Sequence, residues 1–273
     1  MLLRSLTKHI REQNWFAVAL DFFIVIAGIL IAFQITNWSE ARQQKVSERD
    51  YLERLHSDVL ELTERRSRYT VTRPIMSETL KDIAQFMNGD SDDLSAAKDQ
   101  LGILFSGGLS DEQAESSVCN MIDWSSALTI PPADLPTALE LLSAGRVNDI
   151  SSEDVRTGLL SFSQEIARSN SFISIIQGQT KEPSNTYPDL FTIQYKEGFG
   201  SSWSRLPRPK YTCDYASMKE NVGFLNLLSK NTLNFAEYTY SGVLPVSERL
   251  DELHASLDKV LGIEHALEEA ETR

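Results

Sequence analysis

The chain has 273 residues, with 39 acidic against 26 basic side chains and a formal net charge of −13. That balance makes nucleic acid a poor partner, because phosphate binding needs a cationic patch; the one positive cluster, Arg4, Lys8 and Arg11, suits anionic lipid headgroups. At 41% hydrophobic and 24% charged residues, there is apolar material for one or two cores besides a membrane anchor.

Trp15 to Trp38 reads WFAVALDFFIVIAGILIAFQITNW, apolar except for Asp21 and uncharged from Phe22 to Thr36. At about 1.5 Å per residue it covers roughly 35 Å, enough for a hydrocarbon core of about 30 Å, and it sets Trp15 and Trp38 at the two interfaces. A cleaved signal peptide would have an apolar core of about 7–15 residues and a small-x-small cleavage site. This stretch is longer and continues through Phe33, Gln34, Ile35, Thr36, Asn37 and Trp38, so it reads as a single-pass anchor. The short basic end, 1–14, is expected in the cytoplasm, with the anchor in the cell inner membrane and the remainder periplasmic. That end is too short for a kinase, cyclase or DNA-binding domain, so inward signalling would need another protein.

Three features inside the span are candidate contacts with another helix. Asp21 is a carboxylate at membrane depth, where it can protonate, draw in headgroup water or meet a polar group on a partner. Gly28 and Ala32 form a small-xxx-small pair that permits close helix approach and homodimerisation. Gln34 can bridge helices or sit at the interface.

From residue 39 to 73 the helix is expected to continue, with Leu52, Leu55, Val59 and Leu62 spaced as a seam and Tyr69 a heptad beyond Leu62. Pro74 is expected to stop or kink it. The remaining residues, 74–273, are expected to form a helical extracytoplasmic domain. Its first two helices are PIMSETLKDIAQFM and LSAAKDQLGILF, and a third lies in SSVCNMIDWSSALTI before Pro131-Pro132. Asp134 and Pro136 signal the start of a helix that ends at Gly145. Ser151, Ser152 and Glu153 open another, with Val155, Leu159, Phe162 and Ile166 inward.

The segment from about 178 to 214 is rich in Pro, Gly, Ser and aromatics, and only LFTIQY has the look of a strand. Tyr187, Phe191, Tyr195, Phe199, Trp203 and Tyr211 form either a contact surface for a partner or ligand, or a lid folded on the core. A helix is expected over Met218–Tyr240, with Phe224, Leu228, Phe235 and Tyr238 on one side. After Gly242 and Pro245 comes a second seam, Val246, Leu250, Leu253, Leu257 and Val260. The last helix can pack antiparallel on the first and close a bundle, or both seams can pair with other subunits.

FFIVIAGILIAFQITNWSEARQ followed by a charged helix resembles the opening of a bacterial family of single-pass membrane proteins, domain of unknown function 6090. TALELLSAGRVNDISSEDVRTGLLSF resembles the middle helix pair of that family, and NVGFLNLLSKNTLNFAEYTY its late helix. The resemblance implies one N-terminal transmembrane helix and a helical outer domain, and it brings no catalytic residues.

The expected fold is therefore mainly α: a transmembrane helix, then a helical-bundle or coiled-coil-like extracytoplasmic domain with one irregular aromatic-rich loop. Cys119 and Cys213 can bridge in an oxidising compartment, closing a loop worth about 4–5 kcal/mol, or remain two buried thiols. His9, His56, His254 and His265 are dispersed, and no HExxH, CxxC, GxSxG or glycine-rich phosphate loop is present. No catalytic residue, metal ligand or cofactor site is expected. The first functional expectation is a membrane-anchored interaction or scaffold module of the envelope, contacting the bilayer and a protein partner or a second copy. The alternatives are an extracytoplasmic ligand sensor acting through a partner's membrane helices and, last, an enzyme.

Overall fold

A single helix, α1, runs from Trp15 to Asn88 and passes through Pro74. The computed structural model describes residues 15–105, 108–195 and 209–264, without the side chains of residues 15–19 and 21. The chain is mainly α and divides into two units, Met1–Leu52 and Glu53–Arg273. The first unit is described by its stretch of α1 alone, and the remainder of this subsection concerns the second.

The expected stop at Pro74 does not occur. Proline removes one N–H from the ladder, yet α1 is continuous across it, and the residue beside it reaches into the fold. Arg73 donates to Tyr238 Oη at 3.3 Å and Thr129 Oγ1 at 3.1 Å, and its guanidinium lies 5.0 Å from the Tyr69 ring centre. The stretch PIMSETLKDIAQFM is accordingly the end of α1, where Met76, Leu80, Ile83 and Met87 are buried.

Short helices follow. Helix α2 is Ser95–Leu104, and α3 is Asp111–Asp123, opened by a capping box in which Ser110 and Gln113 satisfy each other's backbone N–H. Helix α4 is Pro136–Ser143. Its first turn is not capped by Asp134; Asp58, from α1, accepts from Thr137 N at 2.8 Å. Helix α5, Glu153–Gln177, starts on Ser152, whose side chain accepts from Val155 N. Val155, Leu159 and Phe162 are buried as their spacing predicts, but Ile166 is only half-buried, and Ser169, Ile173 and Ile176 carry the inward face onward.

A four-residue helix α6, Pro183–Thr186, leads to strand β1, Phe191–Tyr195, which pairs antiparallel with β2, Pro209–Cys213. Phe191 faces Cys213 and Ile193 faces Tyr211. The second strand, PKYTC, escaped the sequence reading because it begins on a proline and has no alternating apolar pattern. A two-stranded ribbon is marginal alone. This one is fastened to α3 by Tyr211 N donating to Ser116 Oγ at 2.9 Å, by Lys210 with Glu112 at 2.7 Å, and by a disulfide between Cys119 and Cys213.

The expected Met218–Tyr240 helix is two helices. Helix α7 is Tyr215–Glu220; α8 is Val222–Glu237, restarted by Asn221, whose side chain accepts from Phe224 N at 3.0 Å. A π-helical turn, Tyr238–Val243, then runs directly into α9, Leu244–Leu261. In α9, Val246, Leu250, Leu253 and Leu257 are buried within this chain, while Val260 is 41% exposed. Helix α9 packs along α5 and also meets α1. His56 contacts Asp258 and Arg66 contacts Ser247, so residue numbers rise on α1 as they fall on α9 and the two run antiparallel. The core gathers Met76, Leu80, Ile83 and Met87 of α1 with Val118, Ile122, Ile173, Phe224, Leu228, Phe235 and Tyr238.

Candidate functional site

Three features of the described residues have more than packing to offer: a buried arginine on the π turn, a histidine–aspartate cluster, and an apolar helix surface.

Arg66 occupies the next position of the first seam, four residues beyond Leu62, and is 2% exposed. Its Nε donates to Ser247 Oγ at 2.9 Å, Nη1 to Pro132 O at 2.7 Å and Nη2 to Val243 O at 2.8 Å. Burial pulls its pKa down from the usual value to about 10, and Tyr238, Tyr69 and Asp251 oppose that fall. The group therefore remains a cation at neutral pH. The turn it reaches is shaped by Pro245, which has no N–H for Ser241 O, the carbonyl four residues before it. Outside donors meet three successive carbonyls: Arg168 Nη2 binds Ser241 O at 2.7 Å, Ser169 Oγ binds Gly242 O at 2.7 Å, and Arg66 binds Val243 O. Gly242 leaves room there for Ile173, whose Cγ1 would lie 3.1 Å from an added Cβ and would have to give by a few tenths of an ångström. π turns recur at functional sites; here the donors are fully engaged, so this locus holds the fold.

The histidines His56 and His254, 198 positions apart in the chain, fold side by side with ring centres 5.2 Å apart. Both reach one carboxylate, His56 Nε2 at 2.9 Å and His254 Nε2 at 3.5 Å from Asp258 Oδ1. His56, on α1, is buried, and His254 and Asp258 sit one turn apart on α9. Their three ligand atoms all lie within 4.8 Å of one another. Sequence reading saw four scattered histidines; the available signal was the i,i+4 pair His254 and Asp258, which is weak without a third partner.

The third feature is α1 from Phe22 to Trp38. It is long and apolar enough to cross a membrane. Phe22 (63%), Phe23 (69%), Phe33 (66%) and Trp38 (65%) are exposed, and every other side chain of the stretch is exposed too, save half-buried Ile26. A core helix would bury one face, and this one buries none. The hydroxyl of Thr36 donates to Ala32 O at 3.0 Å, which satisfies it within its own helix. Gly28, Ala32 and Gln34 lie on this surface; a Cβ at Gly28 would meet nothing within 4 Å. Trp15 and Asp21 lie on α1, with side chains outside the described residues. The Arg42 guanidinium stands 5.8 Å from the Trp38 ring centre.

Of the aromatic loop, Tyr187 and Phe191 pack on buried Phe224, with ring centres 5.9 and 6.2 Å away, and so act as part of the core cover. Tyr211 is half-buried on β2, and burial pushes its phenol pKa up. Tyr195 is 71% exposed. Phe199 and Trp203 lie outside the described residues, as do His9, His265 and the 1–14 segment. No protein-family model, no curated protein and no solved structure matches the chain.

Proposed function

We propose that the chain is a non-catalytic, membrane-anchored interaction or scaffold module of the bacterial cell envelope. In this reading residues 15–38 cross the inner membrane, 1–14 stay in the cytoplasm, and the helices beyond form a periplasmic bundle. Membership of the family designated domain of unknown function 6090 is part of the same proposal.

The observation that carries it is the apolar surface of α1 from Phe22 to Trp38, exposed on every side. In water that surface is costly at about 25 cal/mol for each Å², and a bilayer removes the cost. A helix is also one of the two structures whose backbone satisfies itself in lipid. The second unit, by contrast, buries its seams within itself and fastens its ribbon with a disulfide, which suits an oxidising compartment. A partner then finds the helix face of Asp21, Gly28 and Ala32, or Gln34 on the other side of the helix, or the outer surface of the second unit.

The test is fractionation followed by topology. The full-length protein should stay with membranes in alkaline carbonate, and a C-terminal tag should be digested by protease added to spheroplasts. Release by carbonate, or a tag protected until the inner membrane is broken, would contradict the anchor or its orientation respectively.

A further inference from the structure

We propose that His56, His254 and Asp258 form a binding site for a divalent transition-metal ion of the zinc class, clamping α1 to α9.

The donor set decides the chemistry. Two imidazoles and one carboxylate suit zinc, cobalt, nickel or copper, whereas magnesium and calcium take all-oxygen shells. A tetrahedral ion with bonds of about 2.0–2.1 Å needs donors about 3.3 Å apart. The distances to Asp258 Oδ1, 2.9 Å from His56 Nε2 and 3.5 Å from His254 Nε2, bracket that spacing. The two imidazoles offer nitrogens within 4.8 Å of each other, so rotation of the side chains by up to about 1.5 Å completes the triangle. Three protein donors leave a fourth position for water or an incoming ligand, the arrangement of accessible zinc sites.

The surroundings favour a cation. Burial holds the Asp251 carboxyl above its ordinary pKa, and its charge couples with His254, one turn on, as well as with Glu248 and Arg66. Lys259, the cation adjacent to Asp258 in the chain, is turned to Asp154 at 2.9 Å. His56 is buried and comes from a different helix, so it is placed by the pairing of α1 with α9 rather than by the metal itself. An exposed i,i+4 pair alone would bind weakly; a third, pre-placed ligand from α1 is what makes this a site. Because the ligands converge only when α1 and α9 are paired, the ion binds the folded chain in preference to the unfolded one and stabilises it by mass action. The competing account is a plain hydrogen-bonded His–Asp–His contact that joins two helices and holds no ion.

Cobalt(II) distinguishes the two. The full-length protein, purified in detergent with a tag lacking histidine and stripped with chelator, is titrated with CoCl₂ and then with ZnCl₂. Visible d–d bands should saturate at one equivalent and disappear on adding zinc. Zinc at about a hundredfold over its Kd should raise Tm by roughly 5–10 °C. His254→Gln and Asp258→Asn, the two less buried ligands, should each weaken binding by at least the ~10-fold that even an outer partner of a metal ligand is worth. His265→Gln should leave it unchanged. Circular dichroism of each variant shows that the helices persist. Absence of cobalt bands in the wild type, or equal affinity in wild type, His254→Gln and Asp258→Asn, would overturn the site.

Discussion

Arg66 Nη2 donates to Val243 O at 2.8 Å, joining the middle of the first helix to the π turn 177 residues later. One guanidinium thereby fixes three segments, since its other nitrogens hold Pro132 O and Ser247 Oγ. Arg66→Met keeps much of the volume and leaves all three acceptors without their donor. Charged hydrogen bonds are worth about 1.5–3 kcal/mol each, partly offset here by relief of a buried charge. The expected loss is about 2–4 kcal/mol in urea unfolding, with Arg66→Lys intermediate.

Gly242 and Gly158 give a matched pair. A Cβ at Gly242 would meet Ile173 at 3.1 Å in the core, whereas one at Gly158 would touch Leu253 Cδ1 at 3.4 Å, an ordinary contact. Gly242→Ala should destabilise by about 1–3 kcal/mol through overpacking. Gly158→Ala lies inside α5 and gains about 0.5–1 kcal/mol of helix propensity, so its net change should stay near zero or be stabilising. Thermal melts of the two variants make the comparison directly.

The Cys119–Cys213 bridge spans 94 positions and ties β2 to α3. Cys119→Ser with Cys213→Ser should cost about 2–5 kcal/mol. The wild type should migrate faster on non-reducing gels and resist alkylation until reduced; alkylation of both thiols without reductant would contradict the bridge.

Burial, with the Glu115 carboxylate beside it, pushes the Tyr215 phenol well above its ordinary range. A phenol whose folded pKa is raised contributes stability that is complete below the unfolded pKa of about 10 and is lost as pH rises beyond it. Stability should therefore fall above about pH 10, and Tyr215→Phe should flatten that alkaline limb. Tyr211, raised by the same cause, is the second contributor to check. Urea midpoints at a series of pH values read both. A wild-type curve level through the alkaline range would contradict the assignment.

Periodicity made much of this fold legible. Leu52, Leu55, Val59 and Leu62, and later Val246, Leu250, Leu253 and Leu257, are all buried where their spacing puts them. Local rules failed where distant residues overrode them. Pro74 was expected to stop or kink the helix, and α1 runs on through it, with Arg73 beside it reaching Tyr238 and Thr129 across the fold. Asp134 carried the local cap signal, yet Asp58 of α1 supplies the cap. Gly242 and Pro245 read as a break, and a π turn carries the helix through them, with Arg168, Ser169 and Arg66 binding the carbonyls of residues 241, 242 and 243. The histidine cluster was illegible for the same reason, since His56 and His254 meet only through the pairing of α1 with α9. The long apolar helix surface from Phe22 to Trp38 was the easiest element to read, because its signal is composition and length alone.

The most direct test of the interaction reading is in-cell photo-crosslinking of the full-length protein, with a photoreactive residue replacing exposed Val25 or Ile35, which flank the Asp21, Gly28 and Ala32 face of α1, followed by detergent purification and mass spectrometry. The account predicts one recurrent envelope protein, or a second copy of the chain, crosslinked at these positions and lost with Asp21→Ala or Gly28→Leu. Crosslinks to lipid alone, unchanged by either substitution and joined by no protein from probes on the second unit, would contradict it.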